Sequence, residues 1–97
     1  MAKKIIWTFR AINDRKQIFS YWDKRNKSDR YSIKLDYLFN TALKIVAIHP
    51  AIGRQTSKEN IRVKIVRDYF LIYEVNNDLI ILLSIWDTRR NPKDMDL

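Results

Sequence analysis

The chain of 97 residues contains no cysteine, a single glycine, two prolines and a single histidine. Without cysteine there is no disulfide and no thiolate for catalysis, and a lone His49 cannot build a zinc site without several carboxylate partners. Neither a metal nor another cofactor is therefore expected. No apolar run approaches the length of a membrane span, and at the N-terminus two lysines are followed by only three apolar residues before Thr8, too few for the apolar region of a signal peptide. These absences point to a protein that works in the cytoplasm, away from membranes; no small-molecule substrate is expected.

What is present is 46% hydrophobic and 12% aromatic, enough for one compact core, so residues 1–97 are read as a single domain. The formal charge of +8 favours an acidic partner, because such a field on a small domain speeds encounter with polyanions and acidic proteins. The excess is uneven. Residues 1–48 hold eleven Lys and Arg against four Asp, whereas residues 49–97 hold eight against seven acidic residues. Lys24, Arg25, Lys27, Arg30 and Lys34 form a basic cluster that is either a solvated tip or a contact for an anionic partner.

Ile5, Ile6 and Trp7 read as a short strand, with Thr8 as N-cap of a helix whose apolar positions Ala11, Ile12, Ile18, Phe19 and Trp22 recur at helical spacing to about Lys24. Ser28 is a second candidate N-cap. After it Tyr31, Leu35, Leu38, Phe39, Ala42, Ile45 and Val46 form a long stripe that Pro50 ends, with His49 at the helix C-terminus in a capping role. Ile61, Val63 and Ile65 alternate with Arg62 and Lys64, the period-two pattern of a strand with one buried and one solvated face. Strands over 69–75 and 79–86 follow, joined by an Asn76-Asn77-Asp78 turn suited to positive backbone angles. Gly53 sits in the polar loop between Pro50 and Ile61, where a left-handed conformation is expected. The fold class is α+β: β-α-α-β-β-β, a helical hairpin on a mostly antiparallel twisted sheet, with residues 91–97 as a flexible tail.

Arg62 and Lys64 point to one face, with Arg67 nearby and Arg89, Arg90 and Lys93 following the last strand. Together with Tyr69, Tyr73 or Trp86 they could line a surface for RNA, cations holding phosphates and rings stacking on bases. Ribonuclease chemistry without metal needs a base for the 2′-hydroxyl, a cation for the charge developing on phosphorus and an acid for the leaving oxygen. Glu74 or Asp87 could supply the first, Arg62, Lys64 or Arg89 the second, and Tyr73 or a lysine the third. Each has a structural alternative: a solvated basic face, an Asp87 ion pair with Arg89 or Arg90, and Tyr73 and Trp86 as core.

The order of Ile6-Trp7-Thr8 with Ala11, Tyr21-Trp22, Pro50-x-x-Gly53-Arg54, Arg62-Val63, Tyr69 to Val75, and Ile81 to Arg90 resembles the RelE/ParE superfamily of type II toxin–antitoxin toxins over nearly the whole chain. The resemblance implies a small basic toxin that arrests growth, of the kind associated with plasmid stabilization, neutralised by a cognate acidic antitoxin. RelE-like and YoeB-like branches cut messenger RNA on the ribosome, whereas the ParE-like branch poisons DNA gyrase. Arg62 and Lys64 are similar to the paired basic residues of the nucleases, but Phe70 replaces an arginine of those enzymes, and Asp87 and Thr88 stand where YoeB-like proteins place a catalytic histidine and tyrosine. Phe70 cannot stabilise a phosphorane, and Asp87 lacks the near-neutral acidity of histidine. The implied reading leans to ParE-like gyrase inhibition, with Arg54 among the contact residues. A nuclease using Arg62, Lys64, Asp87, Arg89 and Arg90 is the alternative, and an inactive RNA- or protein-binding module the second.

Overall fold

The computed structural model describes residues 2–89. Strand β1 (Lys4–Trp7) leads into helix α1 (Phe9–Asn26), helix α2 (Arg30–Ile48) and a 3-10 turn (Pro50–Ile52). Strands β2 (Arg54–Gln55), β3 (Ile61–Val66), β4 (Tyr69–Asn76) and β5 (Leu79–Asp87) follow among the described residues. The five strands form one sheet in the order β1-β5-β4-β3-β2, with β1 parallel to β5 and the other pairs antiparallel. This is the α+β arrangement read from the sequence, with one addition. The two-residue β2 lies within what reads as loop, because it pairs Arg54 with Val63 and Gln55 with Arg62 without any apolar alternation of its own.

Thr8 caps α1 as expected, its hydroxyl oxygen accepting from the Ala11 N–H at 3.1 Å. The same hydroxyl donates to the carbonyl oxygen of Leu82 or Leu83, each 3.0 Å away, tying the helix start to β5. Helix α1 ends at Lys27, which takes the left-handed conformation (φ 51°) and sends its N–H to the Asp23 carbonyl. At the start of α2 the N-cap residue is Asp29, but the side-chain bond comes from Ser28, whose Oγ accepts from the Arg30 N–H at 3.2 Å.

The core lies between the helical hairpin and one sheet face. Leu35, Phe39, Leu43 and Val46 of α2 and Ala11 of α1 meet Tyr69, Leu71 and Tyr73 of β4 and Ile80, Leu82 and Ile85 of β5. The Phe39 ring stacks near Phe19 at 6.4 Å and meets the edge of Tyr69 at 5.7 Å. Where the β4–β5 register shifts, Ile72 pairs with Ser84 and Tyr73 with Leu82, so Leu83 is an extra residue. This bulge changes the phase of β5 and lets Ile85 and Asp87 face α1 beyond it.

The alternation on β3 is oriented opposite to the simplest expectation. Arg62, Lys64 and Val66 pair with Tyr73, Leu71 and Tyr69, the residues that face the helices. Ile61, Val63 and Ile65 lie on the far face with Glu74, Ile72 and Phe70. Continuing across β5, Ile65, Phe70 and Trp86 form one cross-strand row and Val63, Ile72 and Ser84 another. Both sheet faces are therefore apolar, and Arg62 and Lys64 sit at the margin of the helical layer, half-buried along their stems. Among the described residues, no helix is long and apolar enough to cross a membrane.

Candidate functional site

Arg62 organises one end of the helix-facing surface. Its Nη1 donates to the Gly53 carbonyl at 2.7 Å and to the Ala51 carbonyl at 3.3 Å. Across the strand pair, the fully buried Tyr73 donates its hydroxyl proton to the Pro50 carbonyl at 2.8 Å and accepts from the Gly53 N–H at 3.0 Å. The Pro50-x-x-Gly53-Arg54 element is thus a clasp that fastens the end of α2 to the sheet. His49 precedes it as the C-cap of α2, with its backbone N–H on the Ile45 carbonyl at 2.8 Å.

Gly53 corrects the expectation of a left-handed loop residue: its φ is −73° and its ψ 160°, extended backbone open to any residue. Glycine is required for space. A Cβ here would stand 2.4 Å from the Tyr73 hydroxyl oxygen and 2.9 Å from its Cε1. Positive φ angles occur instead at Lys27, Asn60, Arg67 and Asn77, the last within the expected hairpin turn.

Burial pushes the Tyr73 phenol above its ordinary 10.0, opposed by the Gly53 N–H and the Arg62 charge, and burial likewise raises Tyr69. The folded state therefore keeps protons that the unfolded chain releases as pH rises through about 10, so stability is level below that value and falls above it. Tyr73→Phe is expected to cost about 1–3 kcal/mol at neutral pH, because the buried Gly53 N–H and Pro50 carbonyl lose a partner. It should also shallow the alkaline decline without abolishing it, since Tyr69 still contributes. Urea midpoints measured at neutral and alkaline pH check this; the same alkaline slope in variant and wild type would refute the assignment to Tyr73.

A second centre lies at the opposite end of the same face, where a cleft of about 340 Å³ opens between α1 and the end of β5. Asp14, Gln17 and Tyr21 of α1 form one wall, Ile18, Tyr69 and Ile85 line it, and Asp87 and Arg89 complete it. Asp14 Oδ2 accepts from the Ser84 hydroxyl at 2.9 Å and the Ile85 N–H at 3.0 Å, satisfying the β5 edge past the end of β1. Tyr69 is buried, and its hydroxyl accepts from the Trp22 Nε1–H at 2.8 Å. Arg89 grips Asp87 through two points, Nε to Oδ1 at 2.9 Å and Nη2 to Oδ2 at 2.6 Å, and its guanidinium lies 5.8 Å from the Trp22 ring. That bond to Asp87 raises the Arg89 pKa.

The two centres do not converge. Arg62 is level with Tyr73 and Asp87 with Tyr69, four residues apart along β4, which is about 13 Å at the strand rise. Lys64 lies between them, paired with Leu71. Arg67 is exposed in the β3–β4 turn with φ 56°, and Arg54 is exposed on β2, its register partner Val63 belonging to the far face. Trp86 is buried on that far face, and Glu74 shares it. Arg90 and Lys93, like the tail 91–97, lie outside the described residues. Sequence reasoning did not single out Asp14 or Gln17, and it named Tyr21 only within the Tyr21-Trp22 pair that carries the family resemblance, not as a site residue. The one available signal was Asp14, a carboxylate set in the stripe of Ala11, Ile18 and Trp22 at helical spacing.

A family model described as "ParE toxin of type II toxin-antitoxin system, parDE" matches residues 5–92. The chain belongs to the ParE toxin family. Its fold is similar to a solved structure described as "Chromosomal ParDE TA system from P. aeruginosa", with a TM-score of 0.76 and 15% identity, covering 91% of this chain and 98% of the other. At that identity the likeness concerns the fold, which is RelE/ParE-like: two helices on a mixed sheet. No curated protein matches the chain. The family match spans both the Pro50–Gly53 clasp and the Asp87–Arg89 cleft, so both belong to the family's domain and not to an appended segment.

Proposed function

We propose that the protein is the toxin of a type II toxin–antitoxin module, that it acts in the cytoplasm by inhibiting DNA gyrase, and that a cognate acidic antitoxin neutralises it. Family membership supports the toxin module. The observation that favours gyrase over messenger RNA is the separation of the basic and acidic groups. Arg62 is held by two loop carbonyls, Tyr73 is buried with its hydroxyl bonded, and Asp87 is gripped by Arg89 at the far end of β4. General acid–base cleavage needs these groups around one phosphate within hydrogen-bond reach, whereas a gyrase inhibitor needs only a binding surface. A charge of +8 also suits an acidic antitoxin, through steering of the encounter.

The test is to induce the protein alone in a bacterial host and, within minutes, map messenger RNA ends while recording the DNA-damage response. Growth arrest with DNA damage and intact messages is expected. Cuts inside translated codons without DNA damage would replace this reading with ribosome-dependent cleavage, in which Arg62→Ala or Lys64→Ala should abolish toxicity. Unimpaired growth would leave an inactive binding module.

A further inference from the structure

Helix α2 has a second face that the core does not use. Leu35, Phe39, Leu43 and Val46 are turned to the sheet and nearly or fully inaccessible, yet Ile33, Tyr37 and Ile48 on the same helix are 62%, 69% and 59% exposed. At 3.6 residues per turn, these three share with Arg30, Lys34 and Lys44 a sector of about 100° on the side opposite the core. It extends along the whole helix, about 27 Å at the α-helical rise. The only carboxylate within α2, Asp36, is turned toward α1, where Arg15 stands 3.8 Å away. The outer sector is therefore apolar and cationic, with Asp29 and Asp36 at its margin beside Ile33.

That combination restricts what can cover it. A second copy placed face to face would bring three cations against three, offset only by the marginal Asp29 and by Asp36, which Arg15 already engages. A nucleic acid would satisfy the cations but would leave three well-exposed apolar side chains against a hydrophilic backbone, two of them isoleucines that cannot stack on bases as aromatic rings do. A protein helix with apolar anchors and flanking carboxylates satisfies both parts of the face by packing helix against helix.

We propose that the outer face of α2 is the surface by which the toxin engages its target protein, through an acidic, apolar segment of that target. The inference rests on the gyrase-binding reading, in which toxicity comes from a binding surface. Tyr37 is the anchor, because an aromatic ring near the middle of a contact carries a disproportionate share of its energy. Arg30, Lys34 and Lys44 set the encounter rate and its salt dependence.

The experiment measures binding of the purified protein to purified gyrase, to the cognate antitoxin and to anionic lipid vesicles. The wild type is compared with Tyr37→Ala, the double variant Ile33→Ser/Ile48→Ser and the charge variant Lys34→Glu/Lys44→Glu. All five positions are exposed, and unchanged thermal midpoints confirm the fold. Tyr37→Ala should weaken gyrase binding about 30-fold or more, by analogy with truncated interface anchors, and reduce toxicity, while antitoxin affinity changes little. The charge variant should slow association and flatten its dependence on salt. Gyrase binding by the wild type and all variants alike would overturn the inference and leave the gyrase reading standing. Failure of the wild type itself to bind gyrase would overturn both. Loss of antitoxin binding, or vesicle binding that the variants abolish, would reassign the face and overturn the inference alone.

Discussion

Gly53→Ala is expected to destabilise the protein by about 3 kcal/mol, close to the upper end of what overpacking a core position costs. The added methyl would stand 2.4 Å from the Tyr73 hydroxyl oxygen, and Tyr73 is fully buried among α2 and β5 side chains and cannot swing aside. Relief requires the loop to lift. That breaks the Tyr73 bonds to Pro50 and Gly53 and pulls the Gly53 carbonyl from Arg62. The penalty should be markedly smaller in a Tyr73→Phe background, where the closest atom is gone and only ring carbons such as Cε1 at 2.9 Å remain near the methyl. Chemical denaturation of the two single variants and the double variant measures this. Strictly additive effects would show that residue 53 and the Tyr73 hydroxyl do not meet.

Phe39→Ala should be the most damaging single change, at about 3–5 kcal/mol for the loss of a buried phenyl ring and the cavity left behind. Phe39 is inaccessible to solvent and packs against both the other helix and the sheet, through Phe19 of α1 and Tyr69 of β4. Against a total stability of about 5–15 kcal/mol, this change should lower the thermal midpoint by at least about 12 °C and reduce soluble yield. Tyr37→Ala, two residues earlier on the same helix, should move stability by no more than about 0.5 kcal/mol, as for other surface positions. Comparable midpoints for the two variants would mean that α2 is rotated relative to the orientation described above. The pair thus checks the helix orientation on which the proposed target contact depends.

The element order was legible in the chain because hydrophobic periodicity reports local geometry. Thr8 as N-cap, the stripe from Leu35 to Val46 and the Asn77 turn are each specified by residues a few positions apart. The absence of cysteine and the charge of +8 likewise bounded the chemistry before any fold was known. The direction in which the β3 alternation points was not legible. Period two defines two faces but does not say which one the helices cover, and the pairing of Arg62 with Tyr73 decides it. Gly53 illustrates the same limit. Its reason for being glycine is the ring of a residue twenty positions away, which no local rule about turns can reveal. The cleft at Asp14, Tyr21, Asp87 and Arg89 joins the first quarter of the chain to its last strand, and the Leu83 bulge sets its geometry. Local pattern therefore settles which elements form and roughly where they end. Long-range register settles which side chains meet, since a single-residue shift along a strand exchanges its two faces.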